Sequence, residues 1–175
     1  YYVKVVHYSA TGTGNYKLAC TVPQPPQPND VCGGAIDIQD QSLSSWTVNL
    51  TTSGGYTNNY SPAVPSCTGY SANGPDALYK INLAAGEQVI ISELGDCDTS
   101  IWIASDCANL NTTCVAGADA VGGFSAETVT YTATAAGTYF VVIDAYATGG
   151  CPVTVTVNAP VATDASSFGA LKAMF

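Results

Sequence analysis

The stretch TYFVVIDAY (138–146), followed after a short break by PVTVTVN (152–158), decides the fold. In PVTVTVN the residues Val153, Val155 and Val157 alternate with Thr154, Thr156 and Asn158. That period of two lays one face of a strand on a core and leaves the other in water. TYFVVIDAY is apolar on both faces for much of its length, which predicts a strand in the middle of a sheet. Together the two segments read as the last hairpin of a domain.

The same alternation recurs upstream. SWTVNL (45–50) places Trp46, Val48 and Leu50 on one face, and ALYKINL (77–83) does so with Ala77, Tyr79, Ile81 and Leu83. EQVIISEL (87–94), DTSIWIAS (98–105) and ETVTYTA (127–133) complete the set. Seven or more short strands punctuated by Gly, Asn and Pro predict an all-β fold, an antiparallel β-sandwich. In composition, 47% of the residues are hydrophobic and only 10% charged, so Thr and Ser hydroxyls must cover most of the solvent face, as on many extracellular β proteins.

Charge excludes whole classes of function. Thirteen acidic residues against four lysines and no arginine leave a net charge of −9. Such a chain cannot neutralise a nucleic-acid backbone, and an anionic membrane repels it. No apolar run approaches the roughly 20 residues that span a bilayer. Residues Tyr1 to Tyr8 lack the basic start and cleavage site of a signal peptide, so an exported form would have lost its signal or carry it elsewhere.

An internal repeat is the most informative feature. YYVKVVHY (1–8) matches YFVVIDAY (139–146), both continue through Ala-Thr-Gly, and NYKLACTVP (15–23) then matches PVTVTVNAP (152–160). Residues 1–22 are thus an orphan β-hairpin, duplicating the end of the domain without what should precede it, and read either as strands donated to another copy or as the end of a preceding copy. A lone hairpin is marginal in water and offers open edges for pairing. Its apolar positions Tyr1, Val3, Val5, Tyr8, Tyr16 and Leu18 are the candidate assembly residues. Residues 23–28 form a Pro-rich spacer, which favours extended backbone. The tail 160–175 changes character; Ser166 or Ser167 can cap a short helix carrying Phe168, Leu171 and Phe175 on one side.

Seven cysteines stand at 20, 32, 67, 97, 107, 114 and 151, with no C-x-x-C pair and a single histidine, His7. Zinc needs tighter clustering, so disulfides are the expectation, together with an oxidising, extracellular setting. Cys107 and Cys114 flank a short loop they could staple, and the odd number leaves one cysteine free or paired outside the chain. Asn49, Asn59 and Asn111 stand in Asn-x-Ser/Thr acceptors and are the glycosylation candidates.

An ordered set of motifs over 29–159 resembles the bacterial pre-peptidase C-terminal domain, in a cysteine-containing variety. These are NDVCGGA (29–35), PDALYKINLAAG (75–86), GDCDTSIWI (95–103), Cys107, Cys114 and AAGTYFVVID (135–144). The resemblance implies a jelly-roll-like β-sandwich serving as a secreted accessory module beside proteases or in surface proteins, often in tandem. It also implies that Cys32 pairs with Cys67 and Cys107 with Cys114. Cys97 and Cys151 have no counterpart in the family and are left to each other, and Cys20 becomes the candidate intermolecular cysteine.

No catalytic constellation is legible. Within 29–159 there is no histidine for a Ser-His-Asp triad, and His7 lies on the orphan hairpin. Asp96, Asp98 and Asp106 lie on short loops with little room for a glycosidase cleft. Calcium, which takes hard oxygen ligands, is the one cofactor candidate, at Asp96, Asp98, Asp76 and Asp119. Tyr56, Tyr60 and Tyr70 are candidates for stacking on carbohydrate or for capping the core.

The leading expectation is therefore a non-catalytic, extracellular, glycosylated structural subunit. Copies of the chain would join head to tail by donating residues 1–22, with Cys20 locking the joint. The alternative is an accessory substrate- or carbohydrate-binding module in tandem within a larger secreted enzyme or surface protein, with glycans as partners. Neither reading involves nucleic acid or membrane insertion.

Overall fold

A computed structural model describes residues 24–63 and 67–158, together with the isolated residues 4, 14 and 15. The expected hairpin 1–22, with His7 and Cys20, therefore lies almost wholly outside the described residues, as does the tail. The described chain forms nine strands: β1 (Ile36–Asp37), β2 (Ser45–Leu50), β3 (Asp76–Leu83), β4 (Gln88–Gly95), β5 (Thr99–Ala104), β6 (Cys114–Ala118), β7 (Glu127–Thr132), β8 (Gly137–Ala145) and β9 (Cys151–Asn158). They build a two-layer β-sandwich, one sheet ordered β1-β3-β8-β5-β6 and the other β2-β9-β4-β7. No helix among the described residues is long and apolar enough to cross a membrane.

The alternation of the sequence explains the layers. Val153, Val155 and Val157 of β9 point into the core, against Val141 and Ile143 of β8 and Ile101 and Ile103 of β5. The solvent side of β9 is laced with hydroxyls: Thr154 meets Thr47 of β2 at 3.4 Å, as Ser92 meets Thr128 at 2.8 Å in the neighbouring pair. β8 is apolar on both faces because its outer side is also covered. Leu78, Trp102, Ala104 and Val142 form a second apolar cluster there, roofed by Leu110, Tyr60 and Cys32.

Three expectations need correction. First, TYFVVIDAY and PVTVTVN are not a hairpin. β8 lies in the five-stranded sheet and β9 in the four-stranded one, so residues 146–150 cross from layer to layer as an arch. Gly150 permits the crossing: its φ is +56°, and a Cβ there would collide with the Leu50 carbonyl.

Second, the sandwich is not purely antiparallel. β1 runs parallel to β3, pairing Ile36 with Tyr79 and Asp37 with Lys80. The chain leaves β1 for the opposite sheet, so no hairpin ties β1 to β3.

Third, the disulfides are Cys32–Cys107, Cys67–Cys114 and Cys97–Cys151, with Cα separations of 5.7, 6.0 and 5.9 Å. The pairings Cys32–Cys67 and Cys107–Cys114 do not occur. Cys107 opens a 3-10 turn (Cys107–Thr112) that packs against the turn at Cys32–Gly34, whereas Cys114 begins β6, beside the loop that carries Cys67. The loop between Cys107 and Cys114 is closed without a staple by Asp106, which accepts from the Ala108 N–H, and by the Thr113 N–H bonding back to Asn109.

Candidate functional site

One end of the sandwich gathers the ends of β4, β6 and β8 and the starts of β5 and β7. There a cavity of about 330 Å³ is lined by Tyr70, Asp98, Asp119, Ala120, Val121, Gly122 and Tyr146. Tyr70 and Tyr146 are 61% and 52% exposed, so their rings are available to a ligand. Asp98 stands just before β5 and Tyr146 just after β8, and the Tyr146 N–H donates to the Asp98 carbonyl at 3.0 Å. The antiparallel pairing of β5 with β8 thus brings these two side chains, far apart in sequence, to one rim.

The opposite wall, residues 119–122, is held by a buried acid. Glu127 accepts from the Ala120 N–H and, at 2.6 Å, from the Val121 N–H. Glu127 lies opposite Glu93 on the neighbouring strand, and both are buried. The Thr99 hydroxyl reaches both Glu93 oxygens at 2.8 Å. Burial pushes Glu93 up to about 7 against the pull of the Thr99 hydroxyl, and the charges of Glu127, Asp119 and Asp98 add to the rise. Burial, then Asp98 and Glu127, raise Asp119 to about 6. The pocket thus gathers acids whose burial and mutual repulsion raise Glu93 and Asp119 towards the protonated form, and the ion pair found among the described residues, Lys80–Asp37 at 4.0 Å, lies elsewhere.

The four calcium candidates are not brought together. Asp98 and Asp119 share the pocket, but Asp96 is exposed outside its lining. Asp76 is fully enclosed, and its Oδ2 accepts from the Asn59 and Tyr60 N–H groups at 2.7 and 2.8 Å. Among the described residues no group of three or more acidic, His or Cys side chains is arranged to hold a metal ion. Asp106 caps its own turn, accepting from the Asn109 side-chain amide at 2.6 Å.

The tyrosine candidates divide. Tyr70 reaches the pocket, while Tyr56 is buried and donates to Asn29 at 3.0 Å, and the Tyr60 hydroxyl accepts from the Cys32 N–H at 3.0 Å. Of the glycosylation candidates, Asn49, Asn59 and Asn111 are all exposed. The Asn59 amide nitrogen already donates to the Asp30 carbonyl at 2.8 Å, and Asn111 accepts from the Ser61 N–H at 3.2 Å.

Sequence reading missed Tyr146, Glu93 and Glu127. Each left a trace: a tyrosine immediately past a doubly buried strand, and acids at core-facing positions of an alternating strand. It named Asp76 only as a calcium candidate and missed its enclosed partner Asp144, opposite it across β3 and β8.

Chemically, two tyrosine rings flank two carboxylates in an open hollow. Rings stack on the C–H faces of a sugar and carboxylates accept its hydroxyls, the mix of apolar surface and few fixed polar groups typical of ligand pockets.

No family model matches the chain, and no curated protein matches it. Among solved structures it is similar to the pre-peptidase C-terminal domain of collagenase from Bacillus anthracis, at 17% identity over 78% of this chain and 100% of that one, with a TM-score of 0.47.

Proposed function

We propose that the chain is a non-catalytic accessory module of a secreted or cell-surface protein, and that it binds a hydroxyl-rich, carbohydrate-type ligand in the hollow between Tyr70 and Tyr146. The observation that carries this reading is the convergence of those two exposed rings with Asp98 and Asp119 on one wall-braced pocket. Three disulfides closing separations of 75, 47 and 54 residues support an oxidising, extracellular setting. A net charge of −9 without arginine argues against a nucleic-acid partner.

Calorimetric titration with a panel of soluble polysaccharides and their oligosaccharides tests it. Wild type should bind at least one, and Tyr70→Ala and Tyr146→Ala should each weaken that binding about tenfold, the loss of one good contact. Binding that is indifferent to both substitutions, or absent across the panel, overturns the proposal.

A second reading, head-to-tail assembly through residues 1–22, is favoured by a separate observation: on one long side of the sandwich no further described strand covers the outer edges of β1 and β2, and a cleft lies between them.

A further inference from the structure

The two long sides of the sandwich differ. On one, the outer strands β6 and β7 of the two sheets lie against each other. On the other, the outer strands are β1, only two residues long, and β2. Between them lies a cleft of about 350 Å³, with Ile36, Leu43, Trp46, Val48 and Tyr79 among its walls. β1 pairs with β3 and β2 with β9, and no further described strand covers their outer edges. An apolar seam flanked by two strand edges that no described strand covers invites the addition of strands.

The β8–β9 arch indicates what fits. It contributes one strand to each sheet, with Val141 and Ile143 facing Val153, Val155 and Val157 across the core. Residues 1–22 repeat that segment: Val3 and Val5 match Val141 and Ile143, while Tyr16 and Leu18 match Val153 and Val155. Strand directions agree as well. β8 runs antiparallel to β3, to which β1 is parallel, and β9 runs antiparallel to β2. A second arch in the orientation of β8–β9 would therefore run antiparallel to both β1 and β2, adding one strand to each open edge.

We propose that this open side is the acceptor for residues 1–22 of a second copy of the chain, inserted as an arch with 1–8 beside β1 and 15–22 beside β2. The linker favours a second copy over the chain's own arch. Gln24, the first residue after the segment to be described, lines the cleft, and 23–28 contains four prolines and no glycine. Such a run stays extended and resists the tight reversal that self-insertion requires. One acceptor side and one donor segment on each copy make the contact heterologous, so it propagates into a filament. The inference rests on the assembly reading and is independent of the Tyr70–Tyr146 pocket.

Sedimentation of the full chain over a hundredfold concentration range, read with tryptophan emission, tests it. The chain has two tryptophans; Trp102 is fully buried and Trp46 lines the cleft, so emission changes report the cleft. Wild type should grow in mass with concentration, with a blue shift in step. Leu18→Asp should remain monomeric throughout with an unchanged melting temperature, and Tyr16→Asp provides the same test should that variant misfold. Growth that both variants leave intact overturns arch donation while leaving assembly standing. A wild type that stays monomeric at every concentration overturns both.

Discussion

Asp76 and Asp144 face each other directly across β3 and β8, and neither carboxylate is accessible to solvent. Asp76 is anchored by the N–H groups of Asn59 and Tyr60, but its Oδ1 and both oxygens of Asp144 have no hydrogen-bond partner among the described residues. The Trp102 indole, which favours the charged form of Asp144, does not reach hydrogen-bond geometry. Burial raises Asp76 to about 7; burial and then the Asp76 charge raise Asp144 well above the carboxylate range. Two adjacent enclosed carboxylates cannot both ionise cheaply, so the pair retains a proton at neutral pH. Through Asp76 the loop at 59–60 is tied to the sheet.

The pH dependence of stability follows from these directions. Asp76, Glu93, Asp119 and Asp144 are all raised on folding. The native state therefore holds protons that the unfolded chain has released. Their contribution is fully present below about pH 4, the unfolded value, and is lost as pH rises through 6 to 7 and beyond. Scanning calorimetry should show a melting temperature at pH 5 higher than at pH 8 by on the order of 5 °C. A flat or inverted profile would contradict the enclosed acids.

Asp144→Asn keeps the shape and removes the carboxyl that burial and the Asp76 charge oblige the fold to keep protonated. At pH 8 it should raise the melting temperature by about 2–4 °C, corresponding to about 1 kcal/mol, and flatten the slope between pH 5 and 8. Chemical denaturation at both pH values checks the sign.

Glu127→Ala removes the acceptor for the Ala120 and Val121 N–H groups. We expect a loss of about 1–3 kcal/mol, the cost of leaving buried groups unpaired, with faster amide exchange at Ala120 and Val121. Glu127→Gln retains an acceptor oxygen while removing the repulsion with Glu93, so it should keep that protection.

Peptide mapping without reduction should recover Cys32 joined to Cys107 and Cys67 joined to Cys114. Recovery of a Cys107–Cys114 peptide would refute the packing of the 107–112 turn on the 32–34 turn. Removing the Cys97–Cys151 bond, which closes a separation of 54 residues, should cost about 2–4 kcal/mol by denaturant titration.

Much of this protein is written locally. The alternation of Val153, Val155 and Val157 with threonines determines a half-buried strand, because side chains alternate faces whatever the neighbours are. The doubly apolar run 139–143 likewise determines a strand covered on both sides, and the excess of acid determines which partners are repelled. The tertiary structure alone decided that β8 and β9 belong to different layers, because a five-residue connection can turn back along one sheet or cross to the other. It also decided that Cys107 meets Cys32 rather than Cys114, and that Asp98, Asp119, Tyr70 and Tyr146 share a pocket while Asp76 turns inward to Asp144. Such encounters join residues dozens of positions apart. They depend on how loops route strands around a shared core, which no local period records.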